Sequence, residues 1–260
     1  MQLKLRLGLV QYAPEWESPR ENMSILKRFL EKAGNGYDIL IFPEMALTGF
    51  TMKSDVFAEI REGESARYFS SIARKYNTHV IAGMIERDGD RFFNASIHFR
   101  NDGSIAACYR KVHLFPLAGE NKYYAVGCEP GVSRAGETKI GLSICYDLRF
   151  PELYRIYAKS RIPLMVNIAN WPEVRKEHWI SLLQARAIEN QCFMAGVNRT
   201  GIDPALAYKG NSAVFDPLGR QVVCAGDEED VITAEIDLSI VNEIRTCMPF
   251  LDDMKLFRDQ

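Results

Sequence analysis

Three apolar runs in this sequence stop abruptly on a side chain that can do chemistry. Ile41-Phe42-Pro43 ends at Glu44, the run into Tyr109-Arg110 ends at Lys111, and Leu142-Ser143-Ile144 ends at Cys145. Reactive groups at strand ends are what α/β folds gather along one rim of a sheet. A thiol, a carboxylate and an amine supply a nucleophile, a proton acceptor and a cation, the set that acyl transfer requires.

Taken singly, each residue has an ordinary reading. A cysteine is most often a small buried hydrophobe; Glu44 could cap a helix or pair with a base, and Lys111 could lie on the surface or in a structural ion pair. Context changes the reading of Cys145. Asp147, Arg149 and Glu152 crowd charge behind a core strand, and Pro151 suits the first turn of a helix. A sharp strand-to-helix turn at Cys145 would expose the sulfur and leave backbone N–H groups, that of Tyr146 among them, free to hold an oxyanion. A thiol that ionises near pH 8.5 needs a base at neutral pH, and Glu44, an unusual charge directly after a buried run, can be that base.

The elements that must position these residues are legible from punctuation and periodicity. The alternating N-terminus reads as a strand, with no signal-peptide pattern. Ser18, Pro19 and Glu21 form the pattern of a capping box opening a helix that Gly34, Asn35 and Gly36 end. A strand over Asp38 to Phe42 delivers Glu44. A helix over Glu64 to Tyr76 leads to strands over His79 to Glu86 and Phe92 to Phe99, and a third strand runs into Lys111. The second half repeats the theme: strand Lys139 to Ile144, a helix after Pro151, strand Leu164 to Ala169, and a helix over about Val174 to Asn190. Four further strands follow, over Cys192 to Asn198, Ser212 to Phe215, Gln221 to Ala225 and Val231 to Ile236. Hairpins interleaved with strand-helix units require mixed sheets. With no long linker, residues 1–260 read as a single domain. The apolar stretch Pro249 to Gln260, after the last expected element, needs a surface to cover.

Composition narrows the function further. The chain has 260 residues, 47% of them hydrophobic, and a net charge of −2 with scattered basic residues, which disfavours nucleic acid as a partner. No apolar window is long enough to span a bilayer, so no membrane association and a cytoplasmic location are expected. The six cysteines and four histidines stand apart from one another, which leaves no metal cluster to propose.

The whole pattern resembles the nitrilase superfamily of carbon–nitrogen hydrolases: the three motifs occur in the family's order, 67 and 34 residues apart. Within it, Cys145-Tyr146-Asp147-Leu148-Arg149-Phe150-Pro151, Ala169-Asn170-Trp171-Pro172 and Gln184-Ala185-Arg186-Ala187-Ile188-Glu189-Asn190-Gln191 look most like the bacterial omega-amidases. The resemblance implies a four-layer α-β-β-α sandwich of two mixed sheets, usually paired as a homodimer. It implies Cys145 as nucleophile, Glu44 as general base and Lys111 as oxyanion stabiliser, with Glu120 in support beside the lysine and the N–H of Tyr146 completing the oxyanion site. It implies no cofactor and no metal, a small-molecule amide as substrate, and release of ammonia from a 2-oxo acid ω-amide such as 2-oxoglutaramate. An N-carbamoyl amine amidohydrolase is the alternative within the family, and a catalytically idle dimeric scaffold the alternative outside it. Arg149 could hold a substrate carboxylate, but a bracing contact with an acid such as Glu152 is the expected role. Arg199 is a second candidate cation. Trp171 is either a pocket wall or core packing, and Trp179, Leu182 and Leu183 are expected in packing or a dimer contact.

Overall fold

The alternation at the N-terminus forms strand β1 (Lys4–Gln11), whose Leu5, Leu7 and Leu9 join the core between two sheets while Val10 turns the other way, under the helices. In the computed structural model, which describes residues 4–255, helix α1 (Pro19–Ala33) crosses from β1 to the parallel strand β2 (Ile39–Ile41). Helices α2 (Ser54–Phe57) and α3 (Glu64–Tyr76) lead to β3 (His79–Asp88), parallel to β2, and β4 (Arg91–Phe99) and β5 (Ile105–Arg110) continue the sheet as a meander.

The second sheet is built the same way. Strands β6 (Gly131–Ala135) and β7 (Thr138–Ile144) pair antiparallel, and α4 (Pro151–Lys159) crosses to the parallel β8 (Leu164–Ala169). Helix α5 (Lys176–Asn190) crosses to the parallel β9 (Phe193–Asn198). A small hairpin of β10 (Thr200–Ile202) and β11 (Ala207–Lys209) precedes the antiparallel strands β12 (Ala213–Phe215) and β13 (Gln221–Cys224). Strand β14 (Asp230–Asp237) returns to flank β1, and α6 (Ser239–Cys247) follows it. The orders are β14-β1-β2-β3-β4-β5 and β6-β7-β8-β9-β12-β13, with the same succession of antiparallel and parallel pairs in each.

Each sheet buries both faces, which is why its central strands read as nearly continuous apolar runs. On one side Leu7, Ile39, Ile41 and Ile81 share a core with Ile140, Leu142 and Ile144 of the other sheet. On the outer side Leu40, Phe42 and Val80 pack under Leu26, Leu30, Phe69 and Ile72 of α1 and α3, with the rings of Phe42 and Phe69 in edge contact at 5.1 Å. Helices α4 and α5 cover the second sheet with Tyr154, Tyr157, Trp179 and Leu183. The result is the α-β-β-α sandwich that the resemblance implies.

Several local readings change. Ser18 precedes the helix, but its hydroxyl donates to the Trp16 carbonyl and Glu21 faces solvent, so no capping box forms. Asn22 does the tethering: its Oδ1 accepts from the Glu15 N–H and its Nδ2 donates to the Glu15 and Leu47 carbonyls. The turn Glu173–Arg175 is a 3₁₀ turn, and α5 starts one residue later. Trp179 and Leu183 face β9, where bare Gly196 lets them approach, and are buried in the subunit's own core, so they are not available for a dimer contact. The C-terminal stretch is preceded by α6 and includes the 3₁₀ turn Phe250–Asp253. Leu251 is buried and Phe250 exposed, whereas Leu256 and Phe257 lie outside the described residues.

Candidate active site

Glu44 reaches the interior because its loop lies hard against β3. The Gly83 N–H donates to the Pro43 carbonyl at 3.1 Å and the Ala46 N–H to the Gly83 carbonyl at 2.9 Å. A Cβ on Gly83 would stand 2.5 Å from Glu44 Cα, Met45 N and Pro43 O, all backbone atoms, so only glycine permits this approach. Met45 turns the chain in the left-handed region, at φ 44°.

Lys111 follows β5, its N–H donating to the Asn94 carbonyl at 2.8 Å and its carbonyl accepting from Gly127 at 2.9 Å. Its ammonium is fully buried and lies between two carboxylates: 2.8 Å from Glu44 Oε1 and 3.1 and 3.0 Å from the two oxygens of Glu120. Asn94 Nδ2 donates to both acids at 2.7 Å. Glu120 also accepts from the Phe115 N–H at 2.6 Å, and Glu44 Oε2 from the Asn170 N–H at 2.8 Å. Burial works against a charged lysine, but the carboxylates of Glu120 and Glu44 outweigh it and hold Lys111 above the ordinary lysine range. Burial pushes the Glu120 carboxyl up, against the pull of Lys111. An ammonium has three N–H donors; with one on Glu44 and one shared between the two oxygens of Glu120, the third is left for a further acceptor.

Cys145 stands where β7 breaks into a 3₁₀ turn, Cys145–Arg149, and its own φ is 46°. A non-glycine residue in that region is held there by its surroundings. Asp147 fixes the turn from behind by accepting from the Ile144 N–H at 2.9 Å. The Tyr146 N–H lies in the first turn, where helical donors have no internal partner. Sγ is 3.9 Å from the Asn170 carbonyl. Burial, and then the charge of Glu44, raise this thiol well above its usual range, with Lys111 opposing. Burial and Glu44 thus both favour the protonated thiol.

Above the thiol opens a cavity of about 480 Å³. Cys145 and Tyr146 line it, with Glu44, Lys111 and Glu120 buried behind. Trp171 is wall and core at once: it borders the cavity, packs on Trp179 at 5.5 Å between ring centroids, and is almost wholly buried. Arg149 makes no ion pair with Glu152. Its guanidinium lies 4.7 Å from the Trp171 ring centroid, facing the cavity, with one nitrogen 3.3 Å from His178 Nδ1, so the expected bracing contact is absent and the side chain is turned to the pocket. Arg199 is buried behind the wall against Tyr208 and does not line the cavity. Arg175, which lines the cavity from above Phe115, was not singled out by the sequence, nor were Asn94 and Asn170. The one available signal was an asparagine inside the apolar run of β4. Among the described residues, no three His, Cys, Asp or Glu side chains are grouped to hold a metal.

Residues 6–246 match the family model of the carbon-nitrogen hydrolases. The chain is 36% identical to the 2-oxoglutaramate amidase of Bacillus subtilis over 97% of this chain and 98% of that protein. It is 32% identical to the omega-amidase YafV of Yersinia enterocolitica, over 97% and 98% of the two chains. A crystal structure of a CN-hydrolase superfamily protein from Xanthomonas campestris, which carries an arsenic adduct in its active site, superposes with a TM-score of 0.92 over 99% of both chains at 32% identity.

The state of the thiol is directly measurable. Because its pKa is raised, alkylation of Cys145 by iodoacetamide, followed on its peptide by mass spectrometry, should keep accelerating through pH 9. A plateau at or below about pH 8.5, the range of a free thiol, would instead reveal a pre-formed thiolate.

Proposed function

The chain belongs to the carbon-nitrogen hydrolase family, and on that premise we propose that it is a thiol amidase that cleaves a small ω-amide through a Cys145 acyl-enzyme. The observation that carries the reading is the buried Lys111 ammonium, shared between Glu44 and Glu120 beside the sulfur at the cavity floor.

Glu44 takes the Cys145 proton as sulfur attacks the amide carbon, and the oxyanion is held by the third N–H of Lys111 and the N–H of Tyr146. As the tetrahedral intermediate collapses, the proton on Glu44 passes to the leaving nitrogen and ammonia departs, leaving a thioester. Water gives a proton to Glu44, attacks the thioester carbon, and releases the acid while the proton returns to sulfur. Glu120 keeps Lys111 charged and in place without itself moving a proton.

The acyl group is proposed to end in a carboxylate, as in 2-oxoglutaramate, and the cavity's charges support this. Glu17 is engaged by Lys53 and Thr51, and Asp203 by Tyr208, whereas Arg149 and Arg175 have no carboxylate partner among the described residues. Each guanidinium lies over an aromatic ring, and although one Arg149 nitrogen also meets His178 Nδ1, both side chains keep N–H donors for a carboxylate. A cytoplasmic setting is part of the same proposal, because the nucleophile works only as a reduced thiol. So is a homodimer, for which exposed Ile156, Ile188 and Phe250 provide apolar surface.

Cys145→Ala should fold normally and lose essentially all ammonia release, and a mass-spectrometric acyl adduct should map to Cys145 in the wild type. Glu44→Gln and Lys111→Met should each do comparable damage without adding to one another, since the three act as a unit. Independent additive losses would sink the triad. Comparing specificity constants for 2-oxoglutaramate, its decarboxylated analogue and an N-carbamoyl amine tests the substrate. A charge-assisted contact of about 1.5–3 kcal/mol corresponds to roughly a tenfold to over a hundredfold preference for the carboxylate. Equal constants, or preference for the carbamoyl compound, would overturn the ω-amide assignment. The dimer is rejected if the protein shows a monomeric mass in solution at micromolar concentration.

A further inference from the structure

One buried carboxylate near the site takes no part in the chemistry above. Asp147 is fully buried, two residues after Cys145, and has no lysine or arginine partner among the described residues. Its Oδ2 accepts from the Ile144 N–H at 2.9 Å and the Tyr109 hydroxyl at 2.8 Å. Its Oδ1 accepts from the His113 N–H at 2.9 Å and lies 2.8 Å from His113 Nδ1. The donors come from both sides of the reaction: Ile144 immediately precedes Cys145, while Tyr109 and His113 flank Lys111 two residues away on either side. The Tyr109 hydroxyl in turn accepts from the Val112 N–H at 3.3 Å, and the His113 ring stacks on Phe150 at 3.9 Å, closing the bracket around both turns.

We propose that Asp147 is a positioning residue for acyl transfer, setting where the Cys145 sulfur stands relative to the Lys111 ammonium. Cys145 comes from the second sheet and Lys111 from the first, so strand pairing within either sheet cannot fix that distance. The Cys145 turn also holds a positive φ that would relax if the Ile144 N–H lost its acceptor. A carboxylate accepting four hydrogen bonds is a stiff link, and its effect falls on geometry, not on the cavity where the acyl group binds. The inference rests on Cys145 being the nucleophile.

The test uses the full-length protein with Asp147→Asn, His113→Ala and Tyr109→Phe. The amide introduced by Asp147→Asn would keep one acceptor but turn an N–H₂ toward existing donors. His113→Ala removes one donor and the stack on Phe150, Tyr109→Phe removes one donor and the acceptor of the Val112 N–H, and both keep the Ile144 and His113 N–H contacts to Asp147. Asp147→Asn should lower kcat about tenfold to a hundredfold, the scale of a misplaced reacting group, with KM nearly unchanged and slower appearance of the Cys145 acyl adduct. His113→Ala and Tyr109→Phe should show the same kcat-only signature more weakly, and decide the matter if Asp147→Asn does not fold. Lower melting temperatures with wild-type kcat and adduct rate would overturn the inference and leave Asp147 a purely structural acid. Failure of the wild type to form any adduct on Cys145 would instead be a failure of the nucleophile assignment.

Discussion

The arrangement around the reactive thiol depends on one ammonium kept charged away from water. Burying Lys111 without compensation would cost several kcal/mol, and its two carboxylates would be no better off alone. Each therefore requires the others, and Asn94, Asn170 and the Phe115 N–H satisfy the lone pairs that remain. That mutual requirement pulls together a loop after β2, the end of β5, the 3₁₀ segment bearing Glu120 and the end of β8. It also sets a cost on substitution: removing one charge, even with a neutral isostere that fills the same space, leaves a buried partner unpaired, so activity losses are read beside a melting temperature.

The same cluster explains how a carboxylate can serve a thiol that is not ionised at rest. Lys111 holds one oxygen of Glu44, while the other accepts from the Asn170 N–H. Enclosure and the charge of Glu44 both push this thiol up, and on the proposed mechanism its ionisation coincides with attack.

Much of this was legible in the sequence because periodicity and punctuation act locally. Helix α3 and strand β8 begin and end where their apolar spacing and flanking residues say, and Glu44, Lys111 and Cys145 stand out because each interrupts a buried run. What escaped depends on contacts between distant segments. Ser18 and Glu21 spell a capping box, but Asn22 holds the same turn through a loop 25 residues away, at Leu47. Asn94 looks like an anomaly in a strand until two acids converge on it. Arg149 sits three residues before an acid it never meets, since Trp171, from the loop after β8, offers its ring face instead. Short elements such as β10, β11 and β6 carry too few residues to show a period, and Gly83 shows its purpose only when the backbone of Glu44 lies against it.

The two sheets share one pattern of strand directions, yet they divide the labour unequally. The first holds the proton-handling and cationic groups, and the second holds the sulfur and the wall bearing Arg149 and Trp171. Neither half can make or break a bond by itself. On the proposed mechanism, a chain still emerging from synthesis, or one whose halves have sprung apart under stress, thus carries a thiol and an acid that cannot act together. On the same mechanism, competence arrives only when the sandwich closes.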